Sequence, residues 1–200
     1  MAAQTSFPGF APAAATDRLF LAVFPDQATV ARLSALAAEQ CTRHGLRGRP
    51  LLPERFHITL LHLGDWAGLP PDVAQATMKA AARVREAPFE VVFDRVASFD
   101  GRRDKLPFVL RADGGNAPLR AVQAQLAALL REAGVVPVGA GFEPHVTLAY
   151  DARKVAAEPV APIGWRVDEF VLVHSLLGRT RHIRLGCWPL DCARAAPAGA

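Results

Sequence analysis

Two tetrapeptides of one form stand out for the chemistry they could do: His57-Ile58-Thr59-Leu60 and His145-Val146-Thr147-Leu148, one in each half of the chain. Their flanks are apolar and β-prone, which predicts strands. Side chains alternate faces along a strand, so His57 shares a face with Thr59, and His145 with Thr147. Ile58, Leu60, Val146 and Leu148 then serve as apolar anchors on the other face. An imidazole gives or takes a proton near neutral pH, and a hydroxyl donates to an anionic oxygen. Two such pairs facing one another would hold a phosphate between two hydroxyls, with a proton acceptor on one side and a proton donor on the other. That arrangement suits in-line displacement at phosphorus, where attacking and leaving oxygens lie on opposite sides. A single His-x-Thr in a strand is ordinarily structural; the duplication carries the weight. Zinc is the other use of paired histidines, but it needs a third ligand. No Cys or His stands beside either motif in a metal-binding spacing, so no metal is expected.

The paired motifs resemble those of the two-histidine (2H) phosphoesterase superfamily, and within it the bacterial and archaeal RNA 2′,3′-cyclic phosphodiesterases, also called 2′-5′ RNA ligases. The resemblance runs from Arg18-Leu19-Phe20-Leu21-Ala22-Val23 to Trp188-Pro189-Leu190. Its most specific segments are His57-Ile58-Thr59-Leu60 with Leu63-Gly64, and Pro144-His145-Val146-Thr147-Leu148-Ala149. It implies an α+β fold of two pseudo-symmetric lobes, with largely antiparallel sheets, outer helices and a central cleft. It implies RNA with a 2′,3′-cyclic phosphate end as substrate and a 2′-phosphomonoester as product, without a cofactor. His57 would be the proton donor to the departing 3′ oxygen, and His145 the acceptor that activates water. Thr59 and Thr147 would bind the phosphate. Two departures bear on substrate preference: Tyr150 stands where many relatives carry Arg, and His182 where they often carry Tyr. Tyr150, His182, Arg49 and Arg55 are the expected further substrate contacts. Other readings are a 2H enzyme acting on 2′-5′ linked oligonucleotides or cyclic nucleotides, 2′-5′ RNA ligation, and, outside enzymes, an RNA-binding module.

The elements that must position these residues follow in order. Arg18–Phe24 reads as a strand, and Asp26 as the N-cap of a helix with an apolar stripe at Val30, Leu33, Leu36 and Ala37, fading near His44-Gly45. A basic loop with Arg43, Arg47, Arg49 and Arg55 leads into the strand His57–Leu63. There, period two sets His62 on the face opposite His57, and Gly64-Asp65 closes the strand. Pro70-Pro71-Asp72 opens a helix to about Glu86. Phe89–Phe99 and Pro107–Ala112 form a hairpin with a solvated charged tip, Arg102-Arg103-Asp104-Lys105. Leu119, Val122, Leu126, Leu129 and Leu130 repeat at helical spacing up to Gly134. Val135–Val138 is a short strand or extended link. A polar Ala/Pro connection follows Tyr150, then one strand over Trp165–Val173 and a last over His182–Leu190. This order lacks the regular strand–helix alternation of a doubly wound parallel sheet.

Two hundred residues, 51% of them hydrophobic, suit one domain, here expected over 18–192 as a monomer. The Ala/Pro-rich stretch 1–17 reads as a disordered tail without signal-peptide character, and 193–200 as a flexible one. No apolar run is long enough for a membrane span. Cys41, Cys187 and Cys192 are an odd, scattered set, so a reducing cytoplasm is expected. The net charge of +4 mildly favours a polyanionic partner.

Overall fold

The computed structural model describes residues 14–139 and 141–191. The expected tails fall largely at 1–13 and 192–200, outside the described residues, as does Cys192. Eight strands form two antiparallel four-stranded sheets. The first contains β1 (Asp17–Val23), β2 (Ile58–Trp66), β7 (Glu169–Leu176) and β8 (Arg181–Pro189) in the order β2-β1-β7-β8. The second contains β3 (Phe89–Ser98), β4 (Leu106–Arg111), β5 (His145–Asp151) and β6 (Glu158–Val167) in the order β5-β4-β3-β6. Each lobe therefore ends in a motif strand, β2 in one and β5 in the other. Three helices complete the α+β fold: α1 (Gln27–Arg43), α2 (Pro71–Ala81) and α3 (Ala117–Glu132).

The helices cross between lobes. α1 follows β1 yet packs on β5 and β6; α3 follows β4 yet touches β2 as well as β3. Local sequence starts each helix. The Asp26 carboxylate caps α1 by accepting from the Thr29 N–H at 2.8 Å. Pro118 begins α3, whose Leu119, Val122, Leu126 and Leu130 are fully buried, with Leu129 at the margin of the core. Between the sheets lie Ile58, Leu60, Val146 and Leu148, the apolar anchors of the two motifs.

An unpaired edge strand would expose its amides. Here each motif strand is covered by the segment that precedes the other motif. Pro50 bridges Ala149 of β5, and the Leu51 N–H donates to the Leu148 carbonyl at 2.8 Å. Reciprocally, Val138 bridges His62 of β2, its N–H donating to the His62 carbonyl at 2.7 Å. The link Val135–Val138 thus serves as an edge cover and not as a strand of its own. Asp151, at the end of β5, strengthens the first of these clasps. Its carboxylate accepts from the N–H groups of Arg47 (2.5 Å), Gly48 (2.7 Å) and Arg153 (2.7 Å). These bonds hold its pKa below the usual carboxylate range. Gly48 is required there: an added Cβ would fall 1.8 Å from the Tyr150 carbonyl oxygen.

Several local expectations are corrected. The pairing of β1 with β2 slips between Leu21, which faces Leu61, and Ala22, which faces Thr59. This bulge leaves Leu60 without a partner and turns the rest of β2 over, so Leu60 and Leu61 are both buried. His62 therefore returns to the face of Thr59, and β2 runs on to Trp66 instead of closing at Gly64-Asp65. The stretch Trp165–Val173 is two strands in different sheets, parted at Asp168, and the Ala/Pro connection before it is the start of β6. α2 stops at Ala81, well short of Glu86, and finishes in tight turns, with Arg83 and Val84 donating to Ala80 and Ala81. β1 begins at Asp17, whose buried carboxylate is bonded by Thr16 and by His174 of β7. Among the described residues no helix is long and apolar enough to cross a membrane.

The clasp at Asp151 yields a stability prediction. Asp151→Ala strands three backbone donors and is expected to cost about 1.5–3 kcal/mol, read as a lowered denaturant midpoint with an unchanged slope. A midpoint equal to that of the parent protein would show that the loop 46–51 holds to β5 without it.

Candidate functional site

Both motif histidines are held by the same device. A 3₁₀ turn at Pro53–Arg55 brings the chain to His57, which lies just ahead of β2, with Phe56 buried beneath it. The His57 Nδ1–H donates to the Arg55 carbonyl at 2.6 Å. His145 opens β5, and its Nδ1–H donates to the Glu143 carbonyl at 2.7 Å. A carbonyl only accepts, so in each ring Nδ1 carries the proton and Nε2 keeps its lone pair for other work. Thr59 and Thr147 follow two residues later on the same faces.

The four side chains line one cleft of about 310 Å³. Its floor and walls include Arg18, Phe20, Arg55, His62, Tyr150, Ser175 and His182. A second cavity of about 520 Å³ meets it at Thr59, His62 and His145 and extends along α3, past Gln123, Ala127 and Arg131. Among the expected substrate contacts, Tyr150, His182 and Arg55 lie in the cleft. Arg49 is exposed and does not line it.

Aromatic rings enclose the imidazoles. Phe20 stacks on His57 at 5.0 Å, Phe24 lies at 5.8 Å, and His182 meets it edge-on at 5.5 Å. Phe99 meets His145 edge-on at 4.8 Å. Lys105, at the hairpin tip read as solvated, lies over the Tyr150 ring at 5.1 Å. Arg18 is tied to Asp65 by two bonds of 2.7 Å, and His62 shares that carboxylate at 3.0 Å. Sequence reasoning passed over Arg18, Phe20, Phe24 and Phe99. Phe20 carried a signal: in Leu19-Phe20-Leu21-Ala22-Val23 it lies on the face opposite the core leucines, so an aromatic there had to meet something other than the core. Phe99, just past the end of β3, carried none.

This enclosure sets the proton affinities. Burial, with lesser contributions from the charges of His182, Arg55 and His145, pushes His57 down to about 4. Burial also lowers His145, opposed by its bond to the Glu143 carbonyl and by the Glu143 carboxylate. His182 is lowered by burial and then by Arg55, with Glu54 opposing. Identical motifs thus stand beside different charges: His182 and Arg55 act on His57, while Glu143, itself paired with Arg111 and Arg120, acts on His145. A histidine depressed on folding adds stability above its ordinary pKa of about 6.5, and that stability fades as pH falls toward the folded value. In the ligand-free protein, an NMR titration of the imidazole signals is expected to place His57 near 4. A midpoint at or above 6.5 would show that its ring is not desolvated.

Comparison with known proteins agrees with this architecture. Residues 24–179 match the profile of the 2′-5′ RNA ligase superfamily. An RNA 2′,3′-cyclic phosphodiesterase of Escherichia coli (strain K12) is 30% identical over 151 residues, 72% of this chain and 80% of that protein. The crystal structure of E. coli LigT in apo form superposes with a TM-score of 0.72 at 24% identity, covering 89% of this chain and 99% of that one. The Thermus thermophilus protein TT0787 gives a TM-score of 0.65 at 27% identity, covering 86% and 97%. With its two motif strands lining one cleft and its family profile spanning most of the sequence, this chain belongs to the 2′-5′ RNA ligase superfamily of 2H phosphoesterases.

Proposed function

We propose that this protein hydrolyses RNA 2′,3′-cyclic phosphate ends to 2′-phosphomonoesters, with His57 as proton donor and His145 as proton acceptor. The observation that carries the proposal is the matched pair of anchored imidazoles, each with Nε2 unencumbered, in one cleft with two threonine hydroxyls. The name of the E. coli relative, an RNA 2′,3′-cyclic phosphodiesterase, supports the substrate class.

In the proposed reaction, water attacks phosphorus as His145 Nε2 takes its proton. The bond from phosphorus to the 3′ oxygen breaks, and His57 Nε2–H protonates that oxygen. Thr59 and Thr147 donate to the non-bridging oxygens, whose charge grows in the transition state. His57 must be protonated for this, and the free cleft opposes that. An anionic phosphoryl placed beside the ring favours the imidazolium and lifts its pKa. Binding the substrate therefore prepares the acid. Proton transfer by two imidazoles calls for no metal.

The test is product analysis on an RNA with a 2′,3′-cyclic end, with and without EDTA. The expected product is a 2′-phosphate, formed equally in both. Activity lost in EDTA and restored by zinc or manganese would favour metal-assisted hydrolysis instead. His57→Ala and His145→Ala are each expected to lower the rate about 10²–10⁴-fold. The double variant should lose far less than the product of those factors, because both rings act on one transition state. Thr59→Val and Thr147→Val each remove a bond to an anion worth about 1.5–3 kcal/mol, with kcat falling as well as KM rising. Folded His57 and His145 variants that keep the parent rate would leave the RNA-binding module as the better reading.

A further inference from the structure

We propose that Arg55 binds the scissile phosphoryl group and is the cation that neutralises it; this rests on the phosphodiesterase reading above. Two arginines line the cleft, Arg18 and Arg55. Arg18 is already committed to Asp65 through both Nε and Nη2. Arg55 is not. Among the described residues its side chain has neither a carboxylate within ion-pair distance nor a hydrogen-bond acceptor, and its Nε is enclosed without a partner. An enclosed N–H without an acceptor is costly until one arrives, and an anion in the cleft would supply it. Its position fits that anion: its charge acts on the rings of both His57 and His182, so it lies beside the reacting centre.

The backbone makes Arg55 and His57 one unit. The 3₁₀ turn from Pro53 delivers Arg55, whose carbonyl fixes the His57 tautomer while its side chain lines the same cleft. A guanidinium fork matches the two non-bridging phosphoryl oxygens and shares them with the threonine hydroxyls, since each oxygen accepts more than one bond. Elsewhere the cations near the site are already engaged: Lys105 lies over the Tyr150 ring at 5.1 Å, and Arg111 and Arg120 pair with the Glu143 carboxylate beside His145 at 3.1 and 3.8 Å. Of the two arginines that line the cleft, Arg55 is therefore the one left for an incoming anion. When phosphate pairs with Arg55, the repulsion that Arg55 exerts on His57 is offset, so anion binding and protonation of His57 are coupled.

The experiment compares Arg55→Ala and Arg55→Lys with the parent on two substrates: a nucleoside 2′,3′-cyclic phosphate, which has one phosphate only, and an RNA oligonucleotide with the same end. Arg55→Ala is expected to lower kcat/KM about 10–100-fold on both, with Arg55→Lys recovering part. The His57 titration midpoint of the free Arg55→Gln protein, which keeps the stem in the cleft and removes only the charge, is expected to rise above that of the parent, and an unchanged midpoint would show that the Arg55 charge does not act on the ring. Parent-like kinetics in Arg55→Ala would overturn the proposal. So would a loss confined to the oligonucleotide, which would assign Arg55 to a flanking phosphate. If the parent hydrolyses neither substrate, the functional reading fails separately. Titration with inorganic phosphate, followed at the His57 resonance, then decides on Arg55 alone, with weaker binding in Arg55→Ala supporting it and equal binding overturning it. Should Arg55→Ala not fold, Arg55→Gln, which keeps the polar stem without the charge, carries the same expectations.

Discussion

The geometry of this protein depends on a reciprocal clasp. Each motif strand lies at the edge of its sheet, and each edge is closed by backbone from just ahead of the other motif. Leu51 bonds to Leu148 in one direction, and Val138 to His62 in the other. A sheet edge that pairs with nothing is open to other chains; here it is used to bring the two lobes together. The crossed helices add apolar contact to the same joint, α1 against β5 and α3 against β2. The lobes are thus joined by short backbone bonds on the two motif strands themselves.

Each segment that covers the opposite strand leads on toward its own motif, and a carbonyl two residues before each histidine meets the ring, Arg55 for His57 and Glu143 for His145. The carbonyl claims Nδ1–H, and Nε2 is left for the cleft. Tautomer choice follows from one carbonyl contact, made twice.

Much of this was legible in the residues. The repeated His-x-Thr-Leu, the Asp26 cap and the leucine stripe of α3 are local patterns, and local patterns survive folding when the partner surfaces agree with them. What escaped depended on pairing across the chain. The face of His62 follows from a bulge that exists only because β1 lies beside β2 in a slipped register. The break at Asp168 separates two strands that look continuous, since both are rich in apolar residues and belong to different sheets. Arg49 and Arg55 are alike as basic residues near the first motif. Only the turn at Pro53 puts one in the cleft and leaves the other in solvent.

Symmetry of fold does not impose symmetry of charge. The two motifs have the same residues and the same carbonyl anchor, and burial lowers the pKa of both rings. The difference lies in what stands around them. His57 is packed against Phe20 and His182 with Arg55 alongside, while His145 has Phe99 and Glu143. In an empty cleft the field favours a neutral His57, so an acid stationed there acts only once an anion is present. The proposed displacement at phosphorus needs one ring charged and the other neutral at the same moment. A duplicated scaffold meets that need through unlike neighbours, and the substrate's own charge completes the distinction.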